Sequence, residues 1–239
     1  MIPDDAVALV AGASGDIGRA IAFDLLHRGS DVIMLGRSQA RLAQVPPPDG
    51  FPGKCHYLTA DLTRDEDIER IAASPLLAGR LDVLILSSGA YERSHDRSVF
   101  DDQLSANVTG PYGLLRRLLP LVIQSEGQVV FVNSSQALKA SAETGQYAAT
   151  KHALKAIADS LRDEVNPDGV RVMSIFLGRT AGERQRSISA SEGRPYQPNQ
   201  LIQPIDIARL VRAMLQLSRT AEVTDVTLRP MQKSQPRSP

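Results

Sequence analysis

The stretch Ala6-Val7-Ala8-Leu9-Val10-Ala11-Gly12-Ala13-Ser14-Gly15-Asp16-Ile17-Gly18 decides the fold. An unbroken apolar run with no polar alternation reads as a strand buried on both faces, as in a parallel sheet covered by helices. A turn of small residues follows, and a helix is predicted over 17–28. Strand, glycine turn and helix in that order expose backbone N–H groups at the positive end of a helix dipole, which suits a pyrophosphate. Glycine matters because a side chain would hold the phosphates away from the backbone. The same glycines would serve an ordinary strand-to-helix turn; the surrounding order favours the phosphate cradle.

Outward from that stretch, short β-type runs keep alternating with helical patterns. Val32-Ile33-Met34-Leu35 is a second strand, and a turn rich in proline and glycine over 46–53 leads to a third at His56 to Leu58. Val83-Leu84-Ile85-Leu86 and Val129-Val130-Phe131-Val132 follow, then strands at Val170 to Phe176 and Val226 to Leu228. Residues 100–125 read as one long helix with Leu114, Leu115, Leu118, Leu119 and Val122 on one side. A second helix is expected over 147–165. The predicted fold is α/β: a doubly wound Rossmann-type parallel sheet of about seven strands with helices on both faces. No repeat or linker divides the chain, so a single domain is expected over 1–232, with a polar irregular segment at 179–203 and a disordered tail at 233–239.

Composition narrows the function. The 239 residues carry 27 basic and 27 acidic side chains, a formal net charge of zero, which argues against bulk attraction to nucleic acid or an anionic membrane. Cys55 is the only cysteine, so there is no intrachain disulfide and no cysteine-based metal site. The start Met1-Ile2-Pro3-Asp4-Asp5 lacks the pattern of a signal peptide, and no apolar stretch approaches the roughly 18 residues of a membrane span. A cytoplasmic location is expected. His27, His56, His95 and His152 show no paired ligand spacing, so no metal is expected.

At the end of the second strand a dinucleotide fold often carries an acid for the ribose 2′-hydroxyl; here stands Gly36-Arg37. No carboxylate repels a 2′-phosphate and a guanidinium pairs with one bidentately, which favours NADP(H) over NAD(H). Arg37 as a mere solvated cation is the alternative. Further along, Tyr147-Ala148-Ala149-Thr150-Lys151 sets Tyr147 and Lys151 one helical turn apart on one face. An ordinary tyrosine pKa of about 10 is too high for proton exchange near neutrality, and bringing it to about 7 takes roughly 4 kcal/mol of differential stabilisation. A nearby ammonium and a cationic oxidised nicotinamide are expected to supply it. Ser134 closes the fifth strand, with twelve residues between it and Tyr147, where its hydroxyl can bond the same substrate oxygen. Ser135 competes for that role, and the spacing favours Ser134. Asn107 lies in the long helix before that strand.

With these residues in order, the chain resembles the short-chain dehydrogenase/reductase family over nearly its whole length, about 6–231. The resemblance rests on Gly12 to Gly18, Asp61-Leu62, Ser87-Ser88-Gly89-Ala90, Asn107, Ser134, Tyr147 to Lys151 and Val172 to Thr180. It implies that Tyr147 donates the proton to a carbonyl as hydride arrives. It implies also that Lys151 lowers the tyrosine pKa and holds the nicotinamide ribose, Ser134 orients the substrate oxygen, and Asn107 supports a proton-relay water. By the same resemblance Gly12, Ser14, Gly15, Asp16, Ile17, Gly18, Arg37, Asp61, Leu62, Ser88, Gly89, Ala90 and Thr180 line the cofactor together with Tyr147 and Lys151. The implied substrate is a small carbonyl or alcohol, and the implied assembly a homodimer or homotetramer through the two long helices, whose apolar faces exceed what one sheet face needs.

The chain departs from the family pattern in three places. Asp16 stands where compact members have glycine and is expected to point outward as a helix-start acid. Ser87-Ser88-Gly89-Ala90 replaces Asn-Asn-Ala-Gly, and Leu177-Gly178 replaces Pro-Gly. The segment 179–203 falls at the family's substrate lid and carries Arg179, Arg184, Arg186 and Arg194, which are either solvated or arranged to receive an anionic substrate. Tyr91 is expected either to line the cleft or to pack. The rival to an enzyme is a cofactor-binding redox sensor or scaffold without turnover, which would have no need of Asn107, Ser134, Tyr147 and Lys151 together.

Overall fold

The computed structural model of the protein describes residues 5–232, so the tail expected at 233–239 lies outside the described residues. Seven strands form one sheet: β1 Val7–Ala11, β2 Asp31–Gly36, β3 Cys55–Thr59, β4 Val83–Leu86, β5 Gln128–Ser134, β6 Arg171–Leu177 and β7 Asp225–Leu228. All pairings are parallel, in the order β3-β2-β1-β4-β5-β6-β7. The helices are α1 Asp16–His27, α2 Gln39–Ala43, α3 Asp65–Ala72, α4 Arg97–Leu104, α5 Gly110–Gln124, α6 Gly145–Val165, α7 Glu183–Ser191 and α8 Pro204–Leu215.

Strand side chains alternate between two buried layers. Leu9 and Ala11 pack with Leu114, Leu118, Leu154 and Leu161 of α5 and α6, while Ala8 and Val10 pack with Ile21, Leu25, Ile207 and Val211 of α1 and α8. Covering both faces is what lets the strands run fully apolar. β1 ends beside the ends of β2 and β4, with Ala11 paired to Leu35 and Leu86. The chain order reverses between β1 and β4, and such a switch point opens a crevice beyond the strand ends.

Three expectations need correction. The long helix begins at Arg97 and passes through one wide π-helical turn, Ser105–Thr109, before α5. Pro111 lacks the N–H that the Asn107 carbonyl would take four residues on, and the ladder widens at that gap. The segment 179–203 is not wholly irregular, because α7 crosses it; only Gln185 and Ser189 of that helix are buried, so no apolar stripe announced it. The leucine face of α5 is spent within the chain: Leu114, Leu115 and Leu118 are fully buried, so it supplies no surplus for a subunit interface.

At the opposite end of the sheet, buried Arg171 donates to the carbonyls of Leu215, Leu217, Ser218 and Ala221 and to Gln128 Oε1. It ties β5 and β6 to the chain that follows α8.

Candidate active site

The glycine turn is built by close approach. Gly12 has φ +83°, and a Cβ there would sit 2.6 Å from Ser88 N. A Cβ on Gly18 would lie 2.5 Å from the Gly12 carbonyl and 2.7 Å from Ser87 Oγ. Ser87 itself donates to the Ala11 carbonyl at 2.6 Å, so the ends of β1 and β4 are pinned together directly behind the turn. Gly15 caps α1, whose first N–H groups, at Asp16, Ile17 and Gly18, have no acceptor earlier in the helix.

Two cavities meet along this edge, both walled in part by Ser87, Ser88 and Arg184. One is lined by Gly12, Ser14, Gly15, Gly36, Arg37, Asp61, Leu62 and Gly89, and Arg41 joins Arg37 there. Arg37 is exposed. Arg41, which sequence reasoning missed, pairs with Glu183 at 2.9 Å. Asp61 Oδ1 accepts from the backbone and hydroxyl of Thr63. The other cavity is lined by Ile17, Tyr91, Ser134, Ser135, Tyr147, Lys151 and Thr180, with Leu177 and Gly178 beside them.

Asp16 lines neither cavity, which corrects its place among the cofactor-lining residues; its carboxylate turns away, as expected of a helix-start acid. One oxygen accepts from Arg19 at 3.1 Å and the other from the Glu183 N–H at 2.9 Å, where α7 begins. Gly182 makes room for it, since a Cβ there would lie 2.2 Å from Asp16 Oδ2.

The α6 side chains meet the end of β5 as the spacing predicted. Ser134 and Ser135 both line the Tyr147 cavity, and the Ser134 hydroxyl is the one that acts to lower the Tyr147 pKa. Asn133 fixes Ser134 and Lys151: its Oδ1 accepts from Ser134 N at 2.8 Å and its Nδ2 donates to the Lys151 carbonyl at 3.1 Å. Tyr91 packs edge-on against Tyr147, with centroids 4.9 Å apart, so it both lines the cavity and packs. Lys151 Nζ lies 5.6 Å from the Tyr147 ring centroid.

The expected electrostatics need revision. Burial pushes the Tyr147 phenol up from its ordinary value, against the opposing pull of Arg184 and of the Ser134 hydrogen bond. Burial, and then the positive charge of Arg184, push Lys151 down to about 7. Among the chain's own groups, then, the lysine is itself partly neutral near neutrality, and burial outweighs everything that would favour the phenolate.

Asn107 is fully buried in the wide turn and lines neither cavity. Its carboxamide accepts from Ala90 N at 2.6 Å and donates to Ala90 O at 2.9 Å and Thr150 Oγ1 at 3.0 Å. Thr150 in turn donates to the Tyr147 carbonyl at 2.7 Å. The Asn107 side chain thus braces the loop after β4 against α6. Ala90 takes part through its backbone. Gly89 leaves room beside them, because a Cβ would lie 2.8 Å from Asn107 Oδ1 and displace that carboxamide.

The arginines of 179–203 separate. Arg186 stacks over Tyr196 at 5.0 Å. Arg184 reaches over the junction of the two cavities and donates to the Gly89 carbonyl. Arg179 and Arg93 both hold Glu192, whose side chain is 3% exposed, and Arg93 also donates to the Tyr91 hydroxyl at 2.8 Å. Arg93 lay outside the sequence argument because it follows β4 and meets the others only in space. Among the described residues no cluster of three potential metal ligands occurs. No described helix is long and apolar enough to cross a membrane.

Comparison with known proteins agrees with this geometry. The model of the short chain dehydrogenase family matches residues 6–193. An uncharacterized short-chain type dehydrogenase/reductase of Sinorhizobium fredii is 30% identical, over 94% of this chain and 91% of its own. A metagenomic short-chain oxidoreductase solved in complex with NADP is 27% identical, with a TM-score of 0.78 over 95% of this chain and 98% of that one. An alcohol dehydrogenase of Thermococcus sibiricus, 24% identical, shares the fold with a TM-score of 0.82 over 96% of this chain and 99% of its own. The chain belongs to the short-chain dehydrogenase/reductase family of oxidoreductases.

Proposed function

We propose that the protein is an NADP(H)-dependent reductase or dehydrogenase that moves hydride between the nicotinamide and a carbonyl or secondary alcohol, with Tyr147 as the acid/base. The observation that carries this reading is Tyr147 with Ser134 and Lys151 in one cavity that meets the cavity of the glycine turn. The chain fits the cofactor at several points. Ser88 Oγ is buried without a hydrogen-bond partner on the wall shared by the two cavities, and the N–H groups opening α1 face the same edge. Arg37 and Arg41 stand at the far end, where they would pair with a 2′-phosphate.

When bound, the nicotinamide supplies the hydride to the carbonyl carbon. Ser134 and Tyr147 donate hydrogen bonds to the carbonyl oxygen, and the Tyr147 proton passes to it, giving the alcohol and leaving a phenolate that takes a proton back. Lys151 sits where a positive charge favours that phenolate, and negative charge from a cofactor phosphate would hold its proton on. Segment 179–203 serves as the lid, and the cytoplasm is the proposed location. Assembly as a homodimer or homotetramer is proposed through the outer faces of α5 and α6, where Tyr112 is exposed; a single-chain mass by light scattering contradicts it.

Steady-state kinetics with both cofactors test the 2′-phosphate assignment. The wild type is expected to prefer NADPH, and Arg37→Ala with Arg41→Ala to raise its KM by about tenfold or more while affecting NADH little. Equal kcat/KM for NADPH and NADH in the wild type contradicts it.

A further inference from the structure

The wall of the Tyr147 cavity formed by segment 179–203 with Arg93 is charged. Glu192, with 3% of its side chain exposed, accepts from Arg179 Nη2 at 2.8 and 3.1 Å and from Arg93 Nη2. Arg194 approaches the same carboxylate at 3.7 Å from outside the cavity lining. Burial pushes the Glu192 carboxyl up, and the Arg179 and Arg93 contacts more than reverse that, so it stands ionised at neutrality. Among the described residues the only other carboxylate paired to this cluster is Glu143, exposed and 3.7 Å from Arg93. Arg184 pairs with a carbonyl and has no carboxylate partner among the described residues.

Four guanidiniums thus stand against two carboxylates. Arg184 also walls the first cavity, so its charge is available to cofactor phosphate. With Arg184 set aside, Arg93, Arg179 and Arg194 still exceed Glu192 and Glu143 by one. Positive charge held in a partly dry cleft without its full complement of anions favours an incoming anion. Arg179 has the donors for one: only its Nη2 is engaged, about a third of its side chain is exposed, and its Nε and Nη1 have no acceptor among the described residues. Arg93 is coupled to the reacting end, because the Tyr91 hydroxyl it holds belongs to the ring packed on Tyr147.

We propose that the substrate is a carbonyl compound, or its alcohol, bearing a carboxylate that Arg179 receives with Arg93 beside it, its oxygen lying at Ser134 and Tyr147. This rests on the reductase reading. Arg179 and Arg93 act as specificity residues, and Arg186, drawn onto Tyr196, takes no part. A planar guanidinium edge matches a carboxylate in two parallel hydrogen bonds, so the neutral ester of the same compound loses both charge and geometry.

The test is NADPH oxidation with matched pairs: 2-oxobutyrate, acetoacetate and levulinate, each against its methyl ester. For at least one carbonyl-to-carboxylate spacing the acid is expected to exceed its ester in kcat/KM by about tenfold or more. Arg179→Gln, and separately Arg93→Gln, should bring that ratio towards unity, and Arg179→Lys should restore part of it. Calorimetric titration of all three acids and their esters into the wild-type protein saturated with NADP+ gives a second readout that needs neither turnover nor a folded variant. Binding of the acid and not its ester for at least one spacing supports the proposal; equal binding of acid and ester at every spacing, or no binding at any, overturns it. Ester turnover equal to acid turnover, or a ratio that survives both glutamine substitutions, overturns it and leaves the reductase reading standing. Failure to bind NADPH overturns both.

Discussion

Lys151 illustrates how burial sets the chemistry of a residue. Its ammonium is almost wholly buried, and desolvation with Arg184 nearby lowers its pKa to about 7 from 10.5. Between those values the unfolded chain keeps a proton that the folded chain has given up, so stability of the folded form rises with pH across the window. Below it both states hold the proton and the penalty of burying the charge is felt in full. Tyr147, shifted up, acts in the opposite sense, but only above its ordinary pKa of 10.0. Lys151→Met is therefore expected to gain on the wild type at pH 7, with an advantage that is smaller at pH 9 and gone only above 10.5. Urea midpoints of both proteins at the two pH values check this; parallel shifts contradict it. The Tyr147 and Lys151 pair was legible because helical geometry fixes neighbours four apart. Their proton affinities were not, because burial and Arg184 come from elsewhere in the fold.

At the scale of elements, strands were the easiest to read and segment 179–203 the hardest. An apolar strand buried on both faces announces itself in its own sequence, whereas α7 buries only polar side chains and is held by partners distant in the chain. Asp16 is one such partner, accepting the N–H of Glu183, the first residue of α7. Its outward turn was foreseen; what it grips was not, and Gly182 was the only local trace of that contact. The carboxylate acts as a cap supplied from another helix, worth about 1 kcal/mol by analogy with ordinary caps. Asp16→Ala should loosen α7, with amide exchange over 183–191 faster by about fivefold. Unchanged exchange there means the lid is held by its other contacts, the Arg41–Glu183 pair and the Arg184–Gly89 hydrogen bond. Asn107 teaches the converse: its position was legible in sequence, but its brace to Ala90 and Thr150 depends on how the wide turn faces α6.

Across the whole molecule, the site follows from where the strand order reverses, between β1 and β4. β1 and β4 end side by side, the glycine turn closes over them, and β5 brings Ser134 to the same edge. α6 then lays Tyr147 across that edge, in a cavity that meets the one that reaches Arg37. The order of strands and the motif spacings made this architecture legible from the chain alone. The charged wall around Glu192 was hidden, since Arg93 lies 86 residues before Arg179. The most direct test of the central claim is single-turnover reduction by bound NADPH in the wild type and in Tyr147→Phe, using whichever carbonyl the wild type reduces. Losing the phenolic proton donor should slow the chemical step by about a thousandfold while NADPH still binds. A Tyr147→Phe protein that reduces its substrate at near the wild-type rate would contradict the mechanism.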